Sequence, residues 1–514
     1  VSAGALAILA MTALAARPAA GQNLLQSFEG KTTIHKLANG WTFVVVERPT
    51  APVFSFATVA NVGSAQEVPG ITGLAHMFEH MAFKGSPHIG TRDAAAEQKA
   101  LDAVEAAYEA YQRERLAPRP DAAKVEQLLA ELRRRQKEAA AFVVQNEFDD
   151  IITREGGVGL NATTNADRTL YFYSLPSNKT ELFAFLESER FLHPVFREFY
   201  EERDVVQEER RSVVDGNPTG KLLEQFVAAA FLAHPYSHDI GGTMSDLQSF
   251  TITDAEKFFQ TYYAPENLTT VVAGDVQAKT LLPLIERYFG RIPARPGRQP
   301  LRTVEPPQIA EKTVVLEEES QPYYIEGYHK PANTDPDQPA YDALTDILSG
   351  GRTSRLYRAL VRDKKLAVRV NAGDGTPGEK YPNLWTVYAL PAFGVDNLQV
   401  QTAIRAELDR VQKEDVTDEE LARFKTRAKA RLLRGLRSNQ GIAVQFAEYQ
   451  ALQGDWRDLF RDLDRVDHVT KADVRRVANS MFKSSNRTVG MIVHKSPEAP
   501  AASPAPAKPA AGSR

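Results

Sequence analysis

Apolar positions alternate or recur at helical spacing along the chain and divide it into short elements. Residues 33–37 and 41–46 flank Ala38-Asn39-Gly40, the pattern of a β-hairpin turned by Asn-Gly. Residues 53–62 read as another strand and 70–83 as a helix. From Asp93 to Val144, Leu101, Val104, Tyr108 and Tyr111, then Val125, Leu128, Leu129 and Leu132, recur at helical intervals. Leu116-Ala117-Pro118-Arg119-Pro120-Asp121 interrupts that run, so the segment predicts a helical hairpin. Residues 159–175 return to strand character, and 180–214 predict a densely charged helix. Further on, 313–318, 323–329 and 386–390 read as strands, 341–361 and 416–435 as helices.

Two stretches resemble each other. Asp254-Ala255-Glu256-Lys257-Phe258, then Tyr262-Tyr263, Asn267 and Thr269, parallels Asp473-Val474-Arg475-Arg476-Val477, then Met481-Phe482, Asn486 and Thr488. That offset is about 219 residues, whereas the helix ending Phe83-Lys84-Gly85 matches one ending Leu348-Ser349-Gly350 at about 265. The excess is close to the length of the helical hairpin. The expected fold is therefore α+β, with two homologous halves, each a mainly antiparallel sheet covered by helices, and a helical-hairpin insertion in the first. The expected boundaries are a first half over 22–291 with the insertion at about 93–147, a Pro- and Arg-rich linker over 292–308, a second half over 309–495, and a disordered Pro/Ala tail over 496–514. Residues 1–21 combine an apolar run with a small-residue exit before Gln22, the pattern of a secretory signal peptide remnant. An exported, periplasmic or secreted protein is expected, membrane-anchored if that segment is retained, with no other stretch apolar enough for stable membrane insertion.

Composition narrows the chemistry. Across 514 residues, 62 Lys+Arg against 66 Asp+Glu leave a formal charge of -4, which gives no whole-chain field for nucleic acid. Cys is 0, so disulfides, thiolate metal sites and Cys nucleophiles are excluded. No G-x-S-x-G elbow occurs, and Ser349-Gly350-Gly351-Arg352-Thr353-Ser354 lacks the ending of a phosphate cradle.

What remains is His76-Met77-Phe78-Glu79-His80. On a helix the two imidazoles lie one turn apart on one face, able to share a metal, with Glu79 close enough to take a proton from water there. The remaining protein ligand should be a carboxylate or a third His. Glu202 and Glu209, seven apart on one predicted helical face, supply a matched pair: one to bind metal, the other to orient a ligand. His234-Pro235-Tyr236-Ser237-His238 also spaces two histidines by four, but Pro235 opposes a continuous helix, so loop packing is expected there and for His88.

His-x-x-Glu-His is the inverted zinc motif, and the chain resembles the pitrilysin/insulinase family, which includes insulin-degrading enzyme and the mitochondrial processing peptidase. The features that carry the resemblance follow in order: His76–His80, Phe83-Lys84-Gly85 with Gly90-Thr91, Gly156-Gly157-Val158-Gly159-Leu160-Asn161-Ala162-Thr163-Thr164 with Thr169 and Tyr171, Glu202 with Glu209, and His234-Pro235-Tyr236. The resemblance implies one Zn2+ per chain on His76, His80 and Glu209, with Glu79 as the base and Glu202 and Asn161 in support. It also implies an edge strand at Asn161-Ala162-Thr163 to which peptide substrate adds, so that Ala162 and Thr163 are substrate-binding. Manganese or cobalt would suit the same ligands.

Two departures stand out. The gap between the zinc histidines and the zinc glutamate is longer than usual by about 50 residues, which the hairpin accounts for. The family's inactive half supplies an Arg and a Tyr to the substrate. Here Arg362 is retained as a candidate substrate binder, but Val368 stands where Tyr is expected. The expected activity is zinc-dependent endoproteolysis of peptides or unfolded segments in a closed chamber. The chain resembles the zinc-bearing subunit of a heterodimer whose homologous partner supplies the Arg/Tyr pair, with a homodimer as the competing arrangement. The alternative from another class is a non-catalytic scaffold or binding subunit of the same fold.

Overall fold

Gly40 takes a left-handed backbone conformation (φ 100°) and folds β1 (Thr32–Lys36) back on β2 (Thr42–Glu47) through a short loop closed by Leu37 N to Trp41 O at 2.9 Å. The computed structural model describes residues 20–296 and 300–494; the expected signal segment, apart from its last two residues, and the Pro/Ala tail lie outside them. A helix, α1 (Ala20–Glu29), precedes the hairpin. There follow β3 (Val53–Ala60), α2 (Leu74–Met81), the long helices α3 (Ala94–Arg115) and α4 (Ala122–Ala140), α5 (Glu147–Arg154), the hairpin β4 (Val158–Thr164) and β5 (Thr169–Pro176), then α6 (Thr180–Leu192) and α7 (Phe199–Arg210). After α8 (Pro218–Ala230) and the short α9 (Met244–Leu247), α10 (Ile252–Tyr262), β6 (Leu268–Gly274) and α11 (Ala278–Phe289) end the first half. The second half runs β7 (Lys312–Glu318), β8 (Tyr323–Lys330), α12 (Gln338–Ser349), β9 (Ala367–Thr376), β10 (Asn383–Pro391), α13 (Asn397–Lys413) and α14 (Asp418–Gly435). It closes with α15 (Asn439–Glu448), α16 (Asp458–His468), α17 (Lys471–Met481) and β11 (Arg487–His494).

The two sheets share one topology apart from β1, which has no counterpart among the described residues of the second. The first is ordered β1-β2-β6-β3-β5-β4 and the second β7-β11-β8-β10-β9. β2 pairs parallel with β6 as β7 does with β11, and every other pairing is antiparallel. The repeat extends to single hydrogen bonds. Thr251 and Asp254 form a capping box on α10, and Thr470 and Asp473 form the same box on α17. Asn267 Nδ2 donates to Tyr262 O and Asn61 O, as Asn486 Nδ2 donates to Met481 O and His329 O. The fold is thus the expected α+β pair of halves, and the α3–α4 hairpin has no counterpart in the second.

Each half covers the other's sheet. One face of the first sheet packs on its own helices, while its other face, including Val44, Val46, Ala57, Val59 and Val271, is sealed by Ile442 and Phe446 of α15 and Trp456 and Phe460 near α16. In return α8 lays Leu222, Phe226 and Ala230 against Tyr323, Ile325, Leu384 and Ile492 of the second sheet. A Cβ on Gly327 would lie 2.7 Å from the Phe226 ring, so the glycine there admits the intruding aromatic.

Several expected elements are subdivided. Residues 159–175 form two strands, because Asn165 Oδ1 accepts from Asp167 N and Arg168 N and turns the chain. The helical stretch 180–214 breaks between α6 and α7, and 341–361 breaks after Ser349, where α12 ends and Gly351 adopts φ 84°.

Candidate metal centre

The motif helix is set by its approach. Gly73 adopts φ 97° and offers no capping side chain, so the first amides of α2 depend on the preceding loop. Buried Glu67 supplies the acceptors: its carboxylate takes Gly73 N at 2.9 Å and Ala75 N at 2.7 Å. Burial pushes the Glu67 carboxyl above the usual range, against the pull of nearby His238 and those two amides. Asp246 fixes the loop further by accepting from Gly70 N, Thr72 N and Thr72 Oγ1. The helix therefore starts at Leu74 rather than Gly70. Leu74, Ala75, Met77, Phe78 and Met81 face the core, which leaves His76, Glu79 and His80 on the other side.

α7 brings the carboxylates. Its buried positions Tyr200, Arg203, Val206, Gln207 and Arg210 fix its rotation, and Glu202 and Glu209 emerge towards α2. Glu209 Oε2 lies 3.8 Å from His76 Nε2 and 3.5 Å from His80 Nε2. One ligand atom from each of the three residues falls within 4.8 Å of the others. Donors on a tetrahedral zinc at roughly 2.1 Å stand roughly 3.4 Å apart, so these side chains fit such an ion with small adjustment. The imidazoles stand nearly perpendicular, with centroids 4.9 Å apart. Glu209 is 47% exposed, which leaves the centre open on one side.

Glu202 sits behind these three side chains. Its Oε2 is 3.4 Å from His80 Nδ1, and its Oε1 is 2.5 Å from Lys84 Nζ, which also reaches Glu198 at 2.8 Å. The His80 contact, against burial and with help from Lys84, holds the Glu202 carboxyl at about 2. Reciprocally, hydrogen bonding to Glu202 raises His80, whereas burial and then the neighbouring His80 charge lower His76. One imidazole is oriented by a carboxylate on its far nitrogen, an arrangement suited to a metal ligand.

A cleft of about 360 Å³ opens beside Glu79 and His80, walled by Phe83, Lys84, Glu202 and the segment Val143 to Asp149. All its lining residues belong to the first half. Asn161 and Thr163 are exposed on β4 and Ala162 is buried; among the described residues β4 pairs only with β5 and forms the sheet edge. Asn161 Oδ1 accepts from Ala162 N, and among the described residues no hydrogen bond ties Asn161 to His76, His80 or the two glutamates. Arg362 is not brought to the cleft either: it is exposed and paired with Asp363. His234 is buried in loop packing, its Nδ1 accepting from Tyr236 N, and His88 pairs with Glu189. Glu67, Asp246 and the Val143–Asp149 wall were not singled out from sequence, and none carries a local signal that sets it apart from a solvated loop residue.

The chain matches the family description Insulinase (Peptidase family M16) over residues 42–130 and Peptidase M16 inactive domain over 249–428. It is 30% identical to the zinc protease PqqE of Helicobacter pylori, over 90% of this chain and 93% of that protein. The chain belongs to the M16, or insulinase, peptidase family. An uncharacterized zinc protease of Mycobacterium leprae is 24% identical over 89% of this chain and 90% of its own length. A solved protease from Helicobacter pylori superposes with TM-score 0.75 at 28% identity, covering 90% of this chain and 99% of that one. The periplasmic protease PqqL from Escherichia coli shares the fold at TM-score 0.66 and 17% identity, with 91% of this chain matching 48% of it. No described helix is long and apolar enough to cross a membrane.

Proposed function

We propose that this M16 chain is a zinc-dependent endopeptidase acting on peptides or unfolded segments, with zinc held by His76, His80 and Glu209. The observation that carries the reading is the convergence of two imidazole nitrogens and one carboxylate oxygen from α2 and α7. A bound zinc ion supplies a Lewis acid that acidifies water and polarises a carbonyl. Glu79, on the same helical face as the ligands and lining the cleft, accepts the proton of the attacking water and returns it to the leaving amine. Glu202 orients His80 through Nδ1, and Lys84 keeps Glu202 ionised for that task. Substrate backbone pairs along the free edge of β4 around Asn161, Ala162 and Thr163, which binds peptides without demanding a sequence.

The cleft is lined from the first half alone, and Arg362 pairs with Asp363. These observations favour a second, homologous subunit that completes the chamber and supplies the Arg/Tyr pair. PqqL is about twice this chain's length, and its solved first half matches 90% of this chain, so one relative of this fold carries a further segment of similar length in the same polypeptide. We place the catalytic half at 22–291, the inactive half at 309–495 and the protein outside the cytoplasm, in keeping with the leading apolar segment.

The test is cleavage of a quenched peptide by the purified chain, alone and mixed with a homologous chain that lacks the zinc motif. Glu79→Gln should keep zinc and lose nearly all turnover, since removal of a general base costs about 10²–10⁴-fold or more. An active Glu79→Gln protein would remove the assigned base. Absence of cleavage in every combination, with zinc bound, would favour the non-catalytic scaffold.

A further inference from the structure

The α3–α4 insertion packs behind the helix that carries both site glutamates. Tyr108 of α3, fully buried, stacks on Tyr200 of α7 with centroids 4.0 Å apart and planes at 30°. The Arg203 guanidinium carbon lies 4.7 Å from the Tyr108 ring and 4.9 Å from the Tyr200 ring, and Arg203 Nη1 donates to the Tyr108 hydroxyl. That hydroxyl donates in turn to Gln248 O at 2.9 Å, where Gln112 of α3 also donates. The Tyr200 hydroxyl donates to Glu105 of α3, whose Oε1 accepts Thr253 N at the start of α10. Just ahead of α7, Arg197 forms a buried two-pronged pair with Glu97 of α3, at 2.5 and 2.7 Å, and donates to the carbonyls of Lys84 and Ile89 beyond α2. Two buried guanidinium groups on the α7 side therefore depend on α3 for their partners, and an unpartnered buried charge is strongly unfavourable.

We propose that the hairpin is an internal brace that fixes the rotation and register of α7, with Tyr108 and Arg203 as positioning residues for Glu209 and Glu202. The proposal rests on the metal-site reading above. The outward side of the hairpin supports it: α4 presents Glu131, Arg134, Arg135 and Glu138 paired with one another at the surface, a solvated face. The one large apolar side chain exposed on the hairpin is Leu116, in the turn between its helices. The second half, which has no His-x-x-Glu-His motif, has no such hairpin between α12 and β9.

The test is zinc affinity of the purified chain by competition with a chromophoric chelator. Tyr108→Leu and Arg203→Met should each weaken zinc about tenfold, at the low end of losses seen when the supports of metal ligands are removed. Tyr108→Phe, which keeps the stack but removes the hydroxyl that Arg203 donates to, should fall between Tyr108→Leu and the unaltered chain, and Arg134→Ala on the outer face should leave the affinity unchanged. A cycle with Glu209→Gln separates positioning from general loosening. If the brace positions Glu209 as well as Glu202, Tyr108→Leu costs less in the Glu209→Gln background, the remainder passing through Glu202 and His80. Equal losses in both backgrounds, or unchanged affinity in both Tyr108→Leu and Arg203→Met, would overturn the proposal. Should Tyr108→Leu fail to fold, Arg203→Met in the two backgrounds decides it. Failure of the metal-site reading looks different: the unaltered chain would then bind no zinc, or Glu209→Gln would bind it as tightly.

Discussion

Glu67 is the support on which the motif helix starts. Replacing it by Ala strands two buried amides, Gly73 N and Ala75 N, that now donate to its carboxylate at 2.9 and 2.7 Å. Each buried donor left unsatisfied costs about 1–3 kcal/mol, so the local penalty is about 2–6 kcal/mol, with a midpoint near 4. No nearby side chain caps the helix in its stead, since the N-cap position is Gly73. At about 1.4 kcal/mol per factor of ten, the midpoint corresponds to roughly a thousandfold more frequent opening of the first turns of α2. Hydrogen exchange followed by mass spectrometry on peptides spanning residues 74–81 reads this directly, with α17 as a remote control. Glu67→Gln keeps one acceptor oxygen but turns an amide donor on the other N–H, and should lose about half as much protection on a logarithmic scale. Protection of α2 in Glu67→Ala within threefold of the unaltered chain would refute the capping role.

Two further outcomes follow from the packing and from a buried acid. Phe226→Ala should destabilise the protein by about 3–5 kcal/mol, because α8 covers one face of the second sheet; a urea unfolding series checks it. Burial, then the charge of Asp374, pushes Asp342 up to about 7. Its folded value exceeds its unfolded one, so ionising it costs stability progressively from about pH 4 to 7 and fully above. Asp342→Asn should therefore raise the melting temperature, and by more at pH 8 than at pH 5; the opposite trend in thermal scans would contradict the assignment.

The motif residues were legible because a helix converts a spacing of four into adjacency, and His76 and His80 need no tertiary information to be paired. The Glu202–Glu209 spacing was equally local, but which glutamate faces the imidazoles depends on how α7 rolls. That is fixed by buried Tyr200 and Arg203, side chains whose partners on α3 lie far away in sequence. Glu67 escaped because an acid in a loop reads as a solvated residue unless its burial is known. The reciprocal covering of the sheets by α8 and α15 was likewise hidden: periodicity shows that a helix has a buried face, not what lies against it. β9, over Ala367–Thr376, was missed because its Asn, Gly and Asp residues lack the apolar alternation of a strand. The division into halves, by contrast, was visible in paired Asp254/Asp473 and Asn267/Asn486, which cap and anchor equivalent helices and strands.

The most direct test of the metal centre is elemental analysis of the purified chain, side by side with Glu209→Ala. The account predicts close to one zinc per chain in the unaltered protein and a large loss in the variant, with both retaining their helical content by circular dichroism. A Glu209→Ala protein that keeps a full equivalent of zinc, or an unaltered chain that takes up none from zinc-containing buffer, would contradict it.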